Sequence, residues 1–252
     1  MTRRRFFADP ANFKLAHKEV ELTSDEARHL REVLRLKPGD KVYVFDGKGK
    51  EFACAVHTAA REFADLEILE EVEPARPESP LKLLLAVALL KGEKFDLAVQ
   101  KATELGVRQI IPLVTRHSDI RLRDEGDGLK RVMRWQRIAI EAAKQSGRAF
   151  VPQITPPLTL AYLLDDPLAP ESLQLLFSER GGESLAMATA AVSDIQSVTA
   201  MVGSEGGWSD EEIEQARAAG AKVVTLGGRV LRAETAAIAV AALLQHLYGD
   251  LR

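Results

Sequence analysis

The stretch "LKLLLAVALL" at residues 81–90 constrains this chain more than any other. It falls well short of the ~20 residues of a membrane span. An apolar run of this length reads as a strand buried on both faces, which is the habit of parallel sheets covered by helices. The residues beyond it keep to that plan. A helix is expected through "KFDLAVQKATELG", with Gly106 as its C-cap, and "RQIIPLV" is the next strand. "LKRVMRWQRIAIEAAKQSG" reads as a long helix ending at Gly147. "LQLLFS" and "VTAMVG" are further strands, and "DEEIEQARAAG" and "ETAAIAVAALLQHLYGD" further helices. Alternating strands and helices predict a parallel α/β sheet with helices on its faces.

The first part of the chain has a different rhythm. "KEVELT", "DKVYVFDG", "EFACAVHTAA" and "FADLEILEEVE" read as strands, with "GKG" at 47–49 a hairpin turn. One helix interrupts them at "DEARHLREVLRL", capped by Thr23 or Ser24. Short strands around one small core suggest a compact barrel. The prolines of "PARPESP" make a stiff connector at 74–80, which separates a domain over 1–73 from one over 81–252.

Composition narrows the function. Cys54 is the single cysteine, and the five histidines are scattered, so no metal site is expected. A net charge of −3 argues against a sequence-blind nucleic-acid binder but is compatible with a local basic patch. Asp9, Asn12 and Lys14 prevent the arginines at 3–5 from opening a signal peptide, and a cytoplasmic protein is expected.

The chemistry gathers between Val202 and Thr235. "VGSEGGWSDEE" places Gly203, Gly206 and Gly207 at the end of a buried strand, before a helix marked by a Ser209/Glu212 capping box. Ligands of parallel α/β sheets bind at the carboxyl ends of strands, and glycines let backbone approach a flat ligand. A plain glycine-rich turn accounts for the same residues. "AKVVTLGGRVLRAET" repeats the pattern: a strand ending at Leu226, then Gly227 and Gly228, then a loop with Arg229 and Arg232. Neither loop is a Walker motif or G-x-G-x-x-G, so triphosphate and dinucleotide readings lose ground. "AAIAVAALL" is apolar around most of its helix and must be buried on more than one side, within the fold or against a second copy.

"GSEGGWS" and "LGGRVLRAETA" resemble the two C-terminal signature motifs of the SPOUT methyltransferases, and more narrowly the ribosomal RNA small subunit methyltransferase E family. "KGEKFDLAVQKATELGV", "RWQRIAIEAAKQSGR" and "RHLREVLRLKPGD" agree, so the resemblance spans nearly the whole chain. Ser204 stands where the family usually has proline, and Trp208 where phenylalanine is common. The resemblance implies a PUA-like N-terminal β-barrel and an α/β domain with a trefoil knot, and the apolar terminal helix makes a homodimer the expected assembly. It implies methyl transfer from S-adenosyl-L-methionine to N3 of one uridine of 16S ribosomal RNA, within the small ribosomal subunit. The donor would lie among Leu176, Phe177 and Ser178; Val202, Gly203, Glu205, Gly206 and Gly207; and Leu226, Gly227, Val230 and Leu231.

Transfer to a ring nitrogen rests on positioning and on meeting the charge that spreads to the uracil oxygens as N3 loses its proton. Arg232 is the first candidate for that charge and Arg229 the second; a salt bridge holding the loop is the plainer role for Arg232. Glu205 and Glu234 are the carboxylates available to take the proton or orient the base. An ordinary glutamate, at a pKa of ~4.3, is a weak base for this task. Pairing with the helix N-terminus is the alternative for Glu234. Arg28, Arg31 and Arg35, spaced on one helical face, and Arg3, Arg4 and Arg5 form a candidate phosphate stripe. An ordinary solvated face fits them too. Lys130, Arg134 and Arg137 offer a second such face, Gln145, Ser146 and Arg148 match the family pattern, and Arg148 and Arg229 are further candidate RNA contacts. Two other readings stand beside this one: a SPOUT enzyme acting on a ribose 2′-hydroxyl, and a ribosome-assembly factor that binds RNA without catalysis.

Overall fold

The computed structural model describes residues 3–118, 120, 124–165, 171–192 and 194–251, apart from the side chains of Ser24 and Glu125. The chain forms two compact units.

The first unit comprises Met1–Glu78 and Ile140–Val151. Its strands are β1 (Arg5–Phe7), β2 (Phe13–Lys14), β3 (Glu19–Thr23), β4 (Lys41–Phe45), β5 (Glu51–Ala59) and β6 (Phe63–Val72), in the order β1-β4-β5-β6-β3-β2. Inside and outside alternate along β3, β4 and β6, so Val20, Leu22, Val42, Val44, Ala64 and Leu66 share one core. Register shifts between Ala53 and Cys54 and between Val56 and Thr58 bend the long β5–β6 ladder around that core. Gly47 lies at positive φ in the β4–β5 hairpin, as the turn requires.

Helix α1 (Ser24–Arg28) runs into a π turn at His29–Val33. The Leu34 amide donates to the His29 carbonyl, a span of five residues, and Leu30 drops into the core. Arg35 follows in a left-handed conformation at φ 52°. The expected single face of Arg28, Arg31 and Arg35 is therefore broken: the π turn resets the helical spacing, and Arg35 lies beyond the helix. The expected Thr23 cap makes no side-chain hydrogen bond.

The second unit comprises Ser79–Ala139 and Pro152–Arg252. It contains β7 (Lys82–Ala88), α2 (Lys94–Glu104), β8 (Gln109–Val114), α3 (Glu125–Ser146, whose last turns belong to the first unit), β9 (Gln153–Ile154), β10 (Leu158–Thr159) and α4 (Leu160–Asp165). Then come β11 (Leu173–Phe177), α5 (Leu185–Thr189), β12 (Ser197–Val202), α6 (Asp210–Ala218), β13 (Lys222–Val224) and α7 (Ala233–Tyr248). The strands lie in the order β10-β8-β7-β12-β11-β13, with β9 also on β8, and every pairing is parallel. The central β7 is buried along all but its first residue, as its composition demands. Gly106, at φ +79°, turns the chain out of α2. The strand expected to reach Leu226 ends at Val224, where the chain leaves β11. Among the described residues, no helix is long and apolar enough to cross a membrane.

The sheet reverses direction of build at β7: β8 lies on one side, and β12, β11 and β13 on the other. Such a switch point leaves a crevice at the carboxyl ends of the strands.

Candidate active site

Three strands end together there. Phe177 pairs with both Val202 and Val224 in the ladder, so β11, β12 and β13 release their loops at one level. The pocket between the loops is lined by Phe177 and Ser178, by Val202, Gly203, Glu205, Gly206 and Gly207, and by Leu226, Gly227, Val230 and Leu231. These are all but one of the residues named from sequence for the donor. Leu176 is the exception. It is fully buried within a sheet covered on both faces and belongs to the core.

The glycine loop after β12 is tightly built. The Trp208 ring is buried beneath it, and its Nε1 donates to the Phe177 carbonyl at 2.9 Å, joining two of the loops. A β-carbon on Gly203 would stand 3.2 Å from that ring, and one on Gly206 would stand 2.8 Å from Cβ of His117. Gly207 has a φ of +68°, and a β-carbon there would meet Glu179 at 2.8 Å. Ser204 donates to the His117 carbonyl at 3.0 Å, which gives the hydroxyl at this position a structural task. Ser209 and Glu212 form the expected capping box, and Glu212 also accepts from the Arg116 amide at 2.9 Å.

Arg229, Val230, Leu231 and Arg232 are exposed, whereas Glu234, in the first turn of α7, is buried. Its Oε2 has no hydrogen-bond partner among the described residues. Arg229 lines the pocket, as do Ala233 and Ala236 from the start of α7. Glu205 accepts a hydrogen bond from Lys94 Nζ at 2.7 Å. That bond holds the Lys94 ammonium above its usual range against slight desolvation; Glu205 and Glu234 add to the effect and Arg232 opposes it. Glu205 lines the pocket and brings the Lys94 ammonium to its rim. Lys94, Glu179, Ser204, Trp208 and Thr225 were not named as site residues from sequence. Glu179, Ser204 and Trp208 were in reach as neighbours of named residues; Lys94 had only its place in "KGEKFDLAVQKATELGV".

The arginines divide. Arg5 is buried and pairs with Glu51; it also donates to the carbonyls of Ala143, Lys144 and Arg148. Arg148 is buried against Glu78 at 2.6 Å. Both guanidiniums are built into the first unit, so the phosphate role expected for them is withdrawn. Arg3 also meets Glu51 at 3.2 Å but keeps partial exposure. Arg4, Arg28 and Arg35 are exposed, and among the described residues Arg28 and Arg31 pair only with the neighbouring Asp25 and Glu32.

The fold and this pocket define a class: residues 77–245 match the RNA methyltransferase domain family, and residues 22–69 the RNA methyltransferase PUA domain. Ribosomal RNA small subunit methyltransferase E of Synechocystis sp. is 37% identical over 86% of this chain and 69% of its own length. The protein of that name from Rickettsia conorii is 32% identical over 94% and 93%. The crystal structure of ribosomal RNA small subunit methyltransferase E from Neisseria gonorrhoeae bound to S-adenosyl methionine superposes with a TM-score of 0.87, at 35% identity, over the whole of both chains. The chain belongs to the ribosomal RNA small subunit methyltransferase E family.

Proposed function

We propose that this chain transfers a methyl group from S-adenosyl-L-methionine to N3 of one uridine of 16S ribosomal RNA, in the small subunit. The observation that carries this reading is the level ending of β11, β12 and β13 in a glycine-built pocket. The donor fits it: glycines at 203, 206 and 207 let the loop pack closely on Trp208, His117 and Glu179 and line the pocket with backbone, Gly227 opens on free space, and Leu226, Val230 and Leu231 give one apolar wall. Phe177, Ser178 and the loops at 202–207 and 226–231 would hold it, largely through backbone groups. When bound, the donor supplies a methyl group on a positively charged sulfur.

The chain's own groups supply the rest. Glu234 has a buried oxygen without a partner, suited to accept the uracil N3 proton. Arg232 meets the negative charge that appears on the uracil oxygens. Glu205 orients the base at the rim, and Arg229 stands beside it. Arg3, Arg4, Arg28, Arg31 and Arg35 are the phosphate contacts of the first unit, in a PUA-like domain over 1–73 joined by 74–80 to a methyltransferase domain over 81–252. The path of the last segment supports a trefoil knot: β13 is the sheet edge, yet α7 packs on α2, β7 and β12. Leu243 and Leu247, exposed on α7 at 39% and 52%, support the pairing of two copies in a homodimer. The protein acts in the cytoplasm, with its substrate.

The test incubates small subunits from cells lacking the protein with pure protein and methyl-labelled donor, then identifies the labelled nucleoside. N3-methyluridine at one site is expected. Label on a ribose or another base overturns the assignment, and binding without label makes the protein an assembly factor.

A further inference from the structure

Lys94 opens α2, far from the glycine loops in sequence, yet its ammonium reaches Glu205 on the pocket rim at 2.7 Å. Its other two N–H donors have no partner among the described residues. The side chain keeps 39% of its exposure, so it faces open space. It also lies within the electrostatic reach of Glu234 and Arg232. The rim therefore holds Glu205 and, bonded to it, a cation with hydrogen-bonding capacity to spare.

We propose that Lys94 is a further catalytic residue of this site, donating a hydrogen bond to a uracil carbonyl oxygen as N3 is deprotonated. The inference rests on the uridine N3 reading. In that step the N3–H bond breaks and the proton passes to a carboxylate. The N3 electron pair forms the new bond to the methyl carbon, and the electrons of the broken carbon–sulfur bond stay on sulfur. Charge on the base reaches its maximum while N3 is deprotonated and unmethylated. A donor already held by Glu205 meets that charge without reorganising at the moment of reaction. Glu205 acts in turn as the anchor that aims the ammonium.

The test compares wild type, Lys94→Gln and Lys94→Arg in single-turnover methylation of small subunits. Binding of S-adenosylhomocysteine by calorimetry serves as the control for an intact donor pocket. Lys94→Gln should slow the step about 100-fold, bind S-adenosylhomocysteine as wild type does, and be largely rescued by Lys94→Arg. A second arm uses RNA with 5-fluorouridine at the target, whose N3 proton is more acidic and whose anion needs less stabilisation. The deficit of Lys94→Gln should shrink there. An unchanged rate, a deficit equal on both RNAs, or a defect confined to the KM for RNA overturns the proposal. If wild type makes a product other than N3-methyluridine, the underlying reading fails instead, whatever Lys94 does.

Discussion

The Arg5 guanidinium meets the Glu51 carboxylate at two points, Nε to Oε1 and Nη2 to Oε2, both at 3.2 Å, and Glu51 is fully buried. The remaining donors of Arg5 go to the carbonyls of Ala143, Lys144 and Arg148 at 2.8–3.1 Å, at the C-terminal end of α3. A cation there satisfies carbonyls that the helix leaves open and complements its dipole. Removing one partner of a buried pair leaves the other charge uncompensated, at a cost of about 3–5 kcal/mol. Glu51→Gln should lower stability by that amount in urea unfolding of the first unit. A loss under about 1 kcal/mol, the value of a surface pair, would show that the carbonyls alone satisfy Arg5.

Cys54 lies in the apolar core of the first unit, and burial pushes its thiol up to about 12. Thiolate is the reactive form, so the native protein should resist a thiol reagent such as DTNB at pH 8 and react fully only once unfolded. Rapid stoichiometric labelling of the folded protein would contradict this placement.

Lys144 donates to Glu26 at 2.6 Å and to Glu141 at 3.0 Å. Burial lifts the Glu26 carboxyl above its usual range, with Lys144 only partly offsetting it. Burial presses Lys144 down, but the charges and hydrogen bonds of Glu26 and Glu141 outweigh it, and the net shift is upward from 10.5. The native state thus holds the Glu26 proton more tightly than the unfolded chain does. Glu26 therefore costs stability as pH rises from 4.5 through its folded pKa. Lys144 contributes stability that is whole below 10.5 and lost as pH rises through its own folded pKa. Lys144→Met removes the partner and moves Glu26 further up. Its stability deficit, measured by urea unfolding, should be larger at pH 8 than at pH 5, and an equal deficit at both refutes the coupling.

The parallel sheet was legible because buried strands, capping boxes and positive-φ glycines leave local marks. "LKLLLAVALL", Gly106, and Ser209 with Glu212 all stand where their local chemistry put them. What escaped was non-local. Nothing in "DEARHLREVLRL" announces a π turn, since its cause is Leu30 seeking a core built by strands on either side in sequence. The last turns of α3 join the first unit through Arg5, which donates to the carbonyls of Ala143 and Lys144 across 138 and 139 residues, and through Lys144, which donates to Glu26 across 118. Arginine counts read as a phosphate stripe until the Glu51 and Glu78 carboxylates are seen. The pocket lining was legible through its glycines, but Leu176 was over-read: in a sheet covered on both faces, adjacent residues are equally buried. Lys94 meets Glu205 across 111 residues, which spacing rules do not reach.

Gly206 is not among the glycines at positive φ, so replacing it tests space rather than left-handed strain. A β-carbon would stand 2.8 Å from Cβ of His117, whose ring Nδ1 lies 3.1 Å from the Gly206 carbonyl and whose own carbonyl accepts from Ser204. Neither side can yield without moving the loop. Gly206→Ala should weaken S-adenosylhomocysteine about tenfold or more, the equivalent of ~1.4 kcal/mol, with the fold retained by circular dichroism. Calorimetry showing wild-type affinity would place the donor away from this loop.

Glu234 and Glu205 are distinguished by their surroundings. Glu205 is engaged by Lys94 and partly open to solvent, so its charge is already answered. Glu234 is buried at the first turn of α7 with Oε2 unpartnered among the described residues, an arrangement that costs stability unless something completes it. An N–H from the base would do so, and the same oxygen would then receive the proton. Glu234→Gln keeps the shape and removes the basicity. It should lower single-turnover methylation by about 10²–10⁴-fold while leaving S-adenosylhomocysteine binding intact and folding stability equal or higher. Glu205→Gln should fall by less, because it loosens the aim of Lys94 without removing the proton acceptor. The reverse order, with Glu205→Gln the slower of the two, would transfer the acceptor role to Glu205 and leave Glu234 as a charge that serves the helix N-terminus.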